Sequence, residues 1–191
     1  DRKYRVRTPS RMPMTVDAVG GVEAAIAAFA AGEPVMVFDS AFRECETDLL
    51  WPATAATPEV MRRLRQDCGG LLFLAIGDEI GQLFDLPWLQ DIHTHPALVA
   101  DNPVLAHLVT NDLQYDTRSA FTLSVNHRDT YTGITDRDRS LTTRRFGELA
   151  GELLSSDVTG AAALEALGAE FRTPRSEERR VGKECRSRGS P

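Results

Sequence analysis

Pro34-Val35-Met36-Val37-Phe38-Asp39-Ser40-Ala41-Phe42-Arg43-Glu44-Cys45-Glu46-Thr47-Asp48 is the stretch on which the reading of the fold turns. Its opening apolar run is too short for a helix and reads as a short buried strand. The run stops at Asp39, and a set of carboxylates gathered around Arg43 follows at once. Charged side chains are thereby placed at the C-terminal edge of a sheet, where ligands often bind.

Upstream of this stretch, Val19, Val22, Ala25, Ile26, Phe29 and Ala30 recur at helical spacing and Gly32 stands where a helix C-terminal glycine belongs, so the pattern predicts a helix over Asp17 to Ala31. Downstream, Leu49 to Thr54 reads as a second strand. Thr57-Pro58-Glu59 is a capped helix start with proline at the first helical position, and that helix ends at Asp67 before Gly69-Gly70. Leu71 to Ile76 is a continuous apolar strand bounded by glycines. Residues 77–116 are interrupted by Gly81, Pro87, Pro96 and Pro103, which predicts short helices and a surface loop. Phe121 to Val125 alternates as a strand, Thr132-Gly133 marks a turn, and Ser140 to Leu154 is a helix with Thr142 and Thr143 near its first turn. A short helix over Ala161 to Leu167, closed by Gly168, leads into a strand beginning at Ala169.

The 191 residues suffice for one domain with its own core, and 42% apolar with 26% charged residues is ordinary for a soluble globular chain. No apolar run approaches a membrane span, and no secretory leader pattern is present, so the reading is a cytoplasmic protein. Cys45, Cys68 and Cys185 form no CxxC pair, which argues against a disulfide framework or a structural zinc site. A net charge of -6 disfavours broad nucleic-acid binding. Residues 1–16 read as an N-terminal arm and 17–174 as the folded domain. From Arg175 to Pro191 the chain is arginine-rich, with Val181 its one clearly hydrophobic residue besides Cys185, and reads as disordered. That tail resembles translated adapter or vector sequence joined to an interrupted reading frame; the other reading is a basic tail for RNA or an acidic partner.

Glu44, Glu46 and Asp48 alternate, so in an extended conformation they project to one face and could surround a hard divalent cation or a sugar polyol. Arg43 offers a planar fork for a phosphate or a neighbouring carboxylate. The plainer reading of the same spacing is a solvated acidic loop balanced by its arginine. Cys45, set between carboxylates, reads as a spacer rather than a nucleophile. His93, His95, His107 and His127 read as hydrogen-bonding residues in loop or surface positions, not as ligands. In the second block, Thr132-Gly133-Ile134-Thr135-Asp136-Arg137-Asp138-Arg139-Ser140-Leu141-Thr142, hydroxyls and amides at a turn into a helix suit an anion, while a capped helix start with local pairing of Asp138 and Arg139 is the alternative.

Both blocks resemble the 3,4-dihydroxy-2-butanone 4-phosphate synthase family. The first is similar to its Arg-Glu-x-Glu-x-Asp loop after a strand ending in aspartate, the second to its Thr-Gly-Ile-Ser-x-x-Asp-Arg-x-x-Thr pattern. Gly69-Gly70-Leu71-Leu72, the segment Leu83 to Leu89 and Phe121 to Val125 resemble core segments between them. The resemblance, over about Ala18 to Pro174, implies that Glu44 binds metal, that Arg43 and Asp48 contact substrate, and that Glu46 lies in the same site, with Glu46 or Asp48 exchanging protons. It extends substrate binding to Glu44, Thr132, Thr135, Asp138, Arg139 and Thr142. It further implies an α+β fold, a three-layer α/β/α sandwich with a mixed sheet, and a homodimer with sites at the subunit interface. The implied reaction is a lyase step of riboflavin biosynthesis, ribulose 5-phosphate to 3,4-dihydroxy-2-butanone 4-phosphate and formate, served by Mg2+ or Mn2+ with two ions per site. Phe73 stands where the family often has cysteine, and Thr135 replaces serine with its hydroxyl kept.

After Phe171-Arg172-Thr173-Pro174 the family continues to Gly-His and then to an Arg-x-Gly-His-Thr segment that supplies a histidine metal ligand. This chain instead enters its arginine-rich tail, so the expectation is a sandwich without its last elements and little or no turnover. The reading from another class is a non-catalytic nucleotide- or RNA-binding module of related architecture; a third is an acidic-loop metal protein without lyase chemistry.

Overall fold

The structure, a computed structural model, describes residues 21–69 and 71–175. The expected arm (1–16), the first turn of the expected opening helix, Gly70 and the tail beyond Arg175 lie outside the described residues. Helix α1 (Val22–Ala30) ends as the sequence predicts. Gly32 takes φ +85°, its N–H bonds the Phe29 carbonyl, and the Glu33 N–H bonds that of Ala28, a Schellman motif that serves the last free carbonyls. The Trp51 indole N–H then bonds the Gly32 carbonyl at 3.0 Å and ties the helix end to the hairpin that follows.

That hairpin is β1 (Val35–Phe38) and β2 (Thr47–Leu50), antiparallel with Val35 opposite Leu50 and Phe38 opposite Thr47. The second strand therefore begins two residues earlier than the apolar pattern indicates, inside the acidic stretch. It stops before Pro52, which has no N–H to give a ladder and instead leads a 3-10 turn at Ala53–Ala55. The expectation of a buried first strand is corrected: Met36 is 72% and Phe38 53% exposed, because two strands alone cover neither face of this ribbon.

Helix α2 (Pro58–Asp67) is built as its sequence dictates, with the Thr57 hydroxyl accepting the Val60 N–H at 3.2 Å. The expected strands at 71–76 and 121–125 take part in no ladder among the described residues. In the first, Leu74 and Ile76 pack on the core while Leu71 and Phe73 stay exposed; in the second, Val125 packs on the core but Phe121, on the same face of an alternating strand, is 50% exposed, so the expected alternation is not kept there. Alternation places side chains; it does not supply a neighbouring strand. Between these segments run the four short helices α3 (Asp78–Leu83), α4 (Leu89–His93), α5 (Pro96–Asp101) and α6 (Leu105–Leu108), as the glycine and proline punctuation predicts.

A second antiparallel pair joins β3 (Asn126–His127) to β4 (Phe171–Arg172). Helix α7 (Asp136–Ser155) starts earlier than the expected Ser140, because Thr135 caps it. Helix α8 (Ala161–Glu170) runs through Gly168, which was expected to end it; the positive-φ glycines are Gly32, Gly133 and Gly160, and a glycine without that geometry is tolerated inside a helix. Helices with two antiparallel ribbons make this an α+β fold.

The core forms around α7. Phe146 meets Phe84 and Phe171 edge-on, with ring centroids 5.4 and 5.6 Å apart, and Leu83, Leu149, Leu153 and Ala163 close the cluster. Each large apolar side chain buried this way contributes about 1.5–3 kcal/mol. At Gly147 an added Cβ would lie 3.0 Å from that of Ala53, so the 3-10 turn sits against bare helix backbone there. The Ser140 hydroxyl donates to the Ala56 carbonyl at 2.7 Å, and Arg65 of α2 grips Asp136 of α7 through two 2.7 Å bonds. These contacts hang the acidic hairpin and the start of α7 from one scaffold. No helix of the described residues is long and apolar enough to cross a membrane.

Candidate functional site

Residues 39–46 form the loop that closes the β1–β2 hairpin, and a single carboxylate organises it. Asp39 Oδ2 accepts the Glu44 N–H at 2.9 Å and Oδ1 the Glu46 N–H at 3.1 Å, while the Asp39 N–H donates to the Glu46 carbonyl at 3.2 Å. The Ser40 N–H is the largest influence holding the Asp39 carboxyl below the usual carboxylate range; modest desolvation opposes it, and the Glu44 and Glu46 amides and the charge of Arg43 reinforce it. Closing the turn requires Cys45 at φ +56°, in the left-handed region. Simple strand alternation therefore does not extend through Glu44 and Glu46, as the extended reading supposed. Asp39 was read only as the strand's end, and its organising role was missed. The available signal was an aspartate placed just before a polar turn, where its side chain can cap nearby amides.

Glu44, Glu46 and Asp48 are exposed, and no hydrogen bond or ion pair among the described residues engages their carboxylates. They leave hard oxygen donors on one hairpin, the donor type that magnesium or manganese prefers. Among the described residues no group of three or more His, Cys, Asp or Glu side chains is placed to hold a metal ion. Each of these carboxylates could give an oxygen to a hard ion, and a site there would have to draw its other positions from water or further ligands.

Arg43 is held from across the chain. Its Nη2 pairs with Asp116 Oδ2 at 3.1 Å, its carbonyl accepts the Tyr115 hydroxyl at 3.0 Å, and its guanidinium lies 5.7 Å from the Tyr115 ring centroid. Tyr115 and Asp116 were not singled out in the sequence, because a partner some seventy positions away leaves no local pattern.

In the second block, Thr135 is the N-cap of α7, and Asp138 Oδ2 receives both its N–H, at 3.1 Å, and its hydroxyl, at 3.2 Å. Asp138 is buried and serves the helix start, so the capped-start alternative describes its observed bonds. The local Asp138–Arg139 pair that belonged to that alternative is not formed among the described residues. Asp136 sits at the same end, held below its ordinary range chiefly by the Arg65 hydrogen bonds. Thr142 faces inward, its hydroxyl accepting the His127 N–H at 3.1 Å. Thr132 is exposed and Arg139 half-buried. Loop and block are not bonded directly to each other among the described residues; they share the α2–α7 scaffold.

His127 is buried, not at the surface as its sequence context suggested. Its Nδ1 accepts the Asp129 N–H at 3.2 Å, which places its hydrogen on Nε2, 3.6 Å from Glu170. Glu170 is in turn gripped by Arg145 at 2.8 and 2.9 Å, and that arginine is the main cause of its lowered carboxyl pKa. This is a fold-holding network of β3, α7 and α8. A cleft of about 340 Å³ lined by Glu79, Leu153 and Asp157 lies at the far end of α7 from its Thr135 cap.

An α+β domain with a carboxylate-rich hairpin loop and a capped long helix is the class of protein that the fold defines. The comparisons make it specific: residues 23–174 match the family model of 3,4-dihydroxy-2-butanone 4-phosphate synthase, and the chain belongs to that enzyme family. It is 39% identical over 155 residues to a 3,4-dihydroxy-2-butanone 4-phosphate synthase of Methanosarcina mazei, a match covering 80% of this chain and 60% of that protein. A protein of the same name from Methanothermobacter thermautotrophicus is 39% identical over 153 residues, with 80% and 62% covered. The riboflavin biosynthesis protein RibBA of Bacillus subtilis is 34% identical over 121 residues, covering 63% of this chain and 25% of that one. The chain spans about 60% of the length of the first two relatives.

Proposed function

We propose that this chain carries one part of the site of a lyase that converts D-ribulose 5-phosphate to 3,4-dihydroxy-2-butanone 4-phosphate and formate in riboflavin biosynthesis. The observation that carries the reading is the loop at Arg43 to Asp48, whose carboxylates are exposed and have no partner among the described residues and whose arginine is held in place. The four-carbon and one-carbon products together have the composition of the five-carbon substrate, so the reaction needs no oxidant or co-substrate. It needs a proton taken from carbon, a proton returned, and stabilisation of the charge that develops between.

Glu44 is the residue to hold Mg2+ or Mn2+, two ions serving each site. When bound, a divalent ion supplies the positive charge that polarises a substrate carbonyl. Arg43 has guanidinium donors beyond the one given to Asp116, and these suit the substrate phosphate. Glu46 and Asp48 are the groups to move protons at the sugar carbons and hydroxyls, being exposed carboxylates on the same hairpin. Asp138 and Thr142 support the site from within α7, while Thr132, Thr135 and Arg139 are the residues of that end offered to substrate. The finer architecture is a three-layer α/β/α sandwich with a mixed sheet. The whole enzyme works as a cytoplasmic homodimer.

Formate release from ribulose 5-phosphate with Mg2+ tests the reading. Calorimetry should also show Mg2+ or Mn2+ binding that is strengthened by ribulose 5-phosphate and weakened by Glu44→Gln. Metal binding indifferent to the sugar phosphate would point instead to a metal protein without lyase chemistry.

A further inference from the structure

The loop of residues 110–119 carries no helix or strand, yet it is fixed at its base and at its tip. At the base, one side chain staples both ends: Gln90 Nε2 donates to the Thr110 carbonyl at 3.4 Å, and Gln90 Oε1 accepts the Ser119 N–H at 3.0 Å. Arg118 adds a pair with Asp91 at 3.2 Å and lies over the Trp88 ring, 4.4 Å from its centroid. At the tip, the consecutive residues Tyr115 and Asp116 both engage Arg43, one through its carbonyl and the other through its guanidinium. The side chains of Arg43 and Asp116 are 45% and 56% exposed, and an ion pair so exposed adds little to the stability of the fold. Its consequence is orientation rather than stability.

We propose that the loop of residues 110–119 is a positioning arm for Arg43, in which Tyr115 and Asp116 are positioning residues that aim its guanidinium at an anionic sugar phosphate. The role rests on Arg43 being the phosphate-facing cation proposed above. Tyr115 fixes the main chain from which the side chain springs, and its ring lies beside the guanidinium. Asp116 takes one corner of the fork through Nη2, and the other guanidinium donors of this 45% exposed side chain make no hydrogen bond among the described residues. Gln90 keeps the arm's ends together, so the tip reaches Arg43 without a wide conformational search.

The test titrates ribulose 5-phosphate into the 191-residue chain by calorimetry, comparing Arg43→Ala with Tyr115→Phe, Asp116→Asn and Gln90→Ala, and follows amide exchange at Arg43 to Glu46. Each arm variant should weaken binding roughly three- to tenfold, the scale of one lost hydrogen bond to a charged or fixed group. Each should also speed amide exchange in the loop while leaving the unfolding midpoint in place. If Arg43→Ala weakens binding but the arm variants match the parent in both readouts, the arm is overturned while the function of Arg43 stands. If Arg43→Ala itself binds as the parent does, the proposed phosphate role fails and takes the arm with it.

Discussion

Asp39 and Glu46 bond each other twice: the Glu46 N–H reaches the Asp39 carboxylate at 3.1 Å, and the Asp39 N–H reaches the Glu46 carbonyl at 3.2 Å. One side chain and one ladder-like contact thus set where the loop carboxylates stand. A loop that must present several like charges needs such a fastener, because their repulsion favours opening.

Replacing Asp39 by alanine should release the Glu44 and Glu46 amides, seen as faster hydrogen exchange at those two positions with helix content unchanged. The carboxyl is depressed in the folded state, so its hold on the loop is complete above the ordinary aspartate value of roughly 3.9 and is lost as pH falls through its lower folded value. Loop protection, the exchange rate corrected for its intrinsic dependence on pH, should therefore be flat from neutrality to about pH 5 and should fall only in stronger acid. A transition nearer neutrality would show that another group holds the loop.

Asp138 separates capping from substrate contact. Asp138→Ala removes the acceptor for the Thr135 N–H and should cost about 1 kcal/mol in urea unfolding. Substrate affinity, corrected for the folded fraction, should fall little if capping is its whole role. A tenfold loss with unchanged stability would return Asp138 to direct substrate contact.

Glu170 accepts two bonds from Arg145 and faces His127. Glu170→Gln should destabilise the fold by about 1–3 kcal/mol, since it breaks a partly buried, charge-assisted pair. Because the Glu170 carboxyl is depressed on folding, the parent loses this stability as pH falls below the ordinary glutamate value of roughly 4.3, and the variant's denaturation midpoint should be flatter with pH there. Parallel profiles for the two proteins would rule out this linkage.

Gly147→Ala sets two magnitudes against each other. Alanine improves helix propensity by about 1 kcal/mol, but its Cβ would press on Ala53, 3.0 Å away, where overpacking costs about 1–3 kcal/mol. The Ala53 methyl has no rotamer to escape into, so net destabilisation is expected. A raised unfolding midpoint would mean that the 3-10 turn shifts freely off α7.

Some elements were legible because their signals are local. Gly32 closes α1 and Thr57-Pro58 starts α2, each through bonds made within a few residues, whereas α7 starts at its Thr135–Asp138 cap and not at the expected Ser140. The segments 71–76 and 121–125 show the converse: a continuous apolar run and an alternation were both read as strands, but a strand also needs a ladder partner, and neither segment joins a ladder among the described residues. Gly168 was overread, since a glycine ends a helix only where the chain turns to positive φ.

The sequence by itself determined the family, through residue types at fixed spacing in the Arg43 to Asp48 loop and the Thr132 to Thr142 block, because such motifs are local and survive any uncertainty about packing. Tertiary structure alone decided who holds them. Tyr115 and Asp116 hold Arg43, and Arg65 anchors Asp136, contacts that join residues 71 to 73 positions apart and depend on where the folded chain returns. Spacing specifies which atoms are available for chemistry; the direction in which they point is set by neighbours that the sequence does not place side by side.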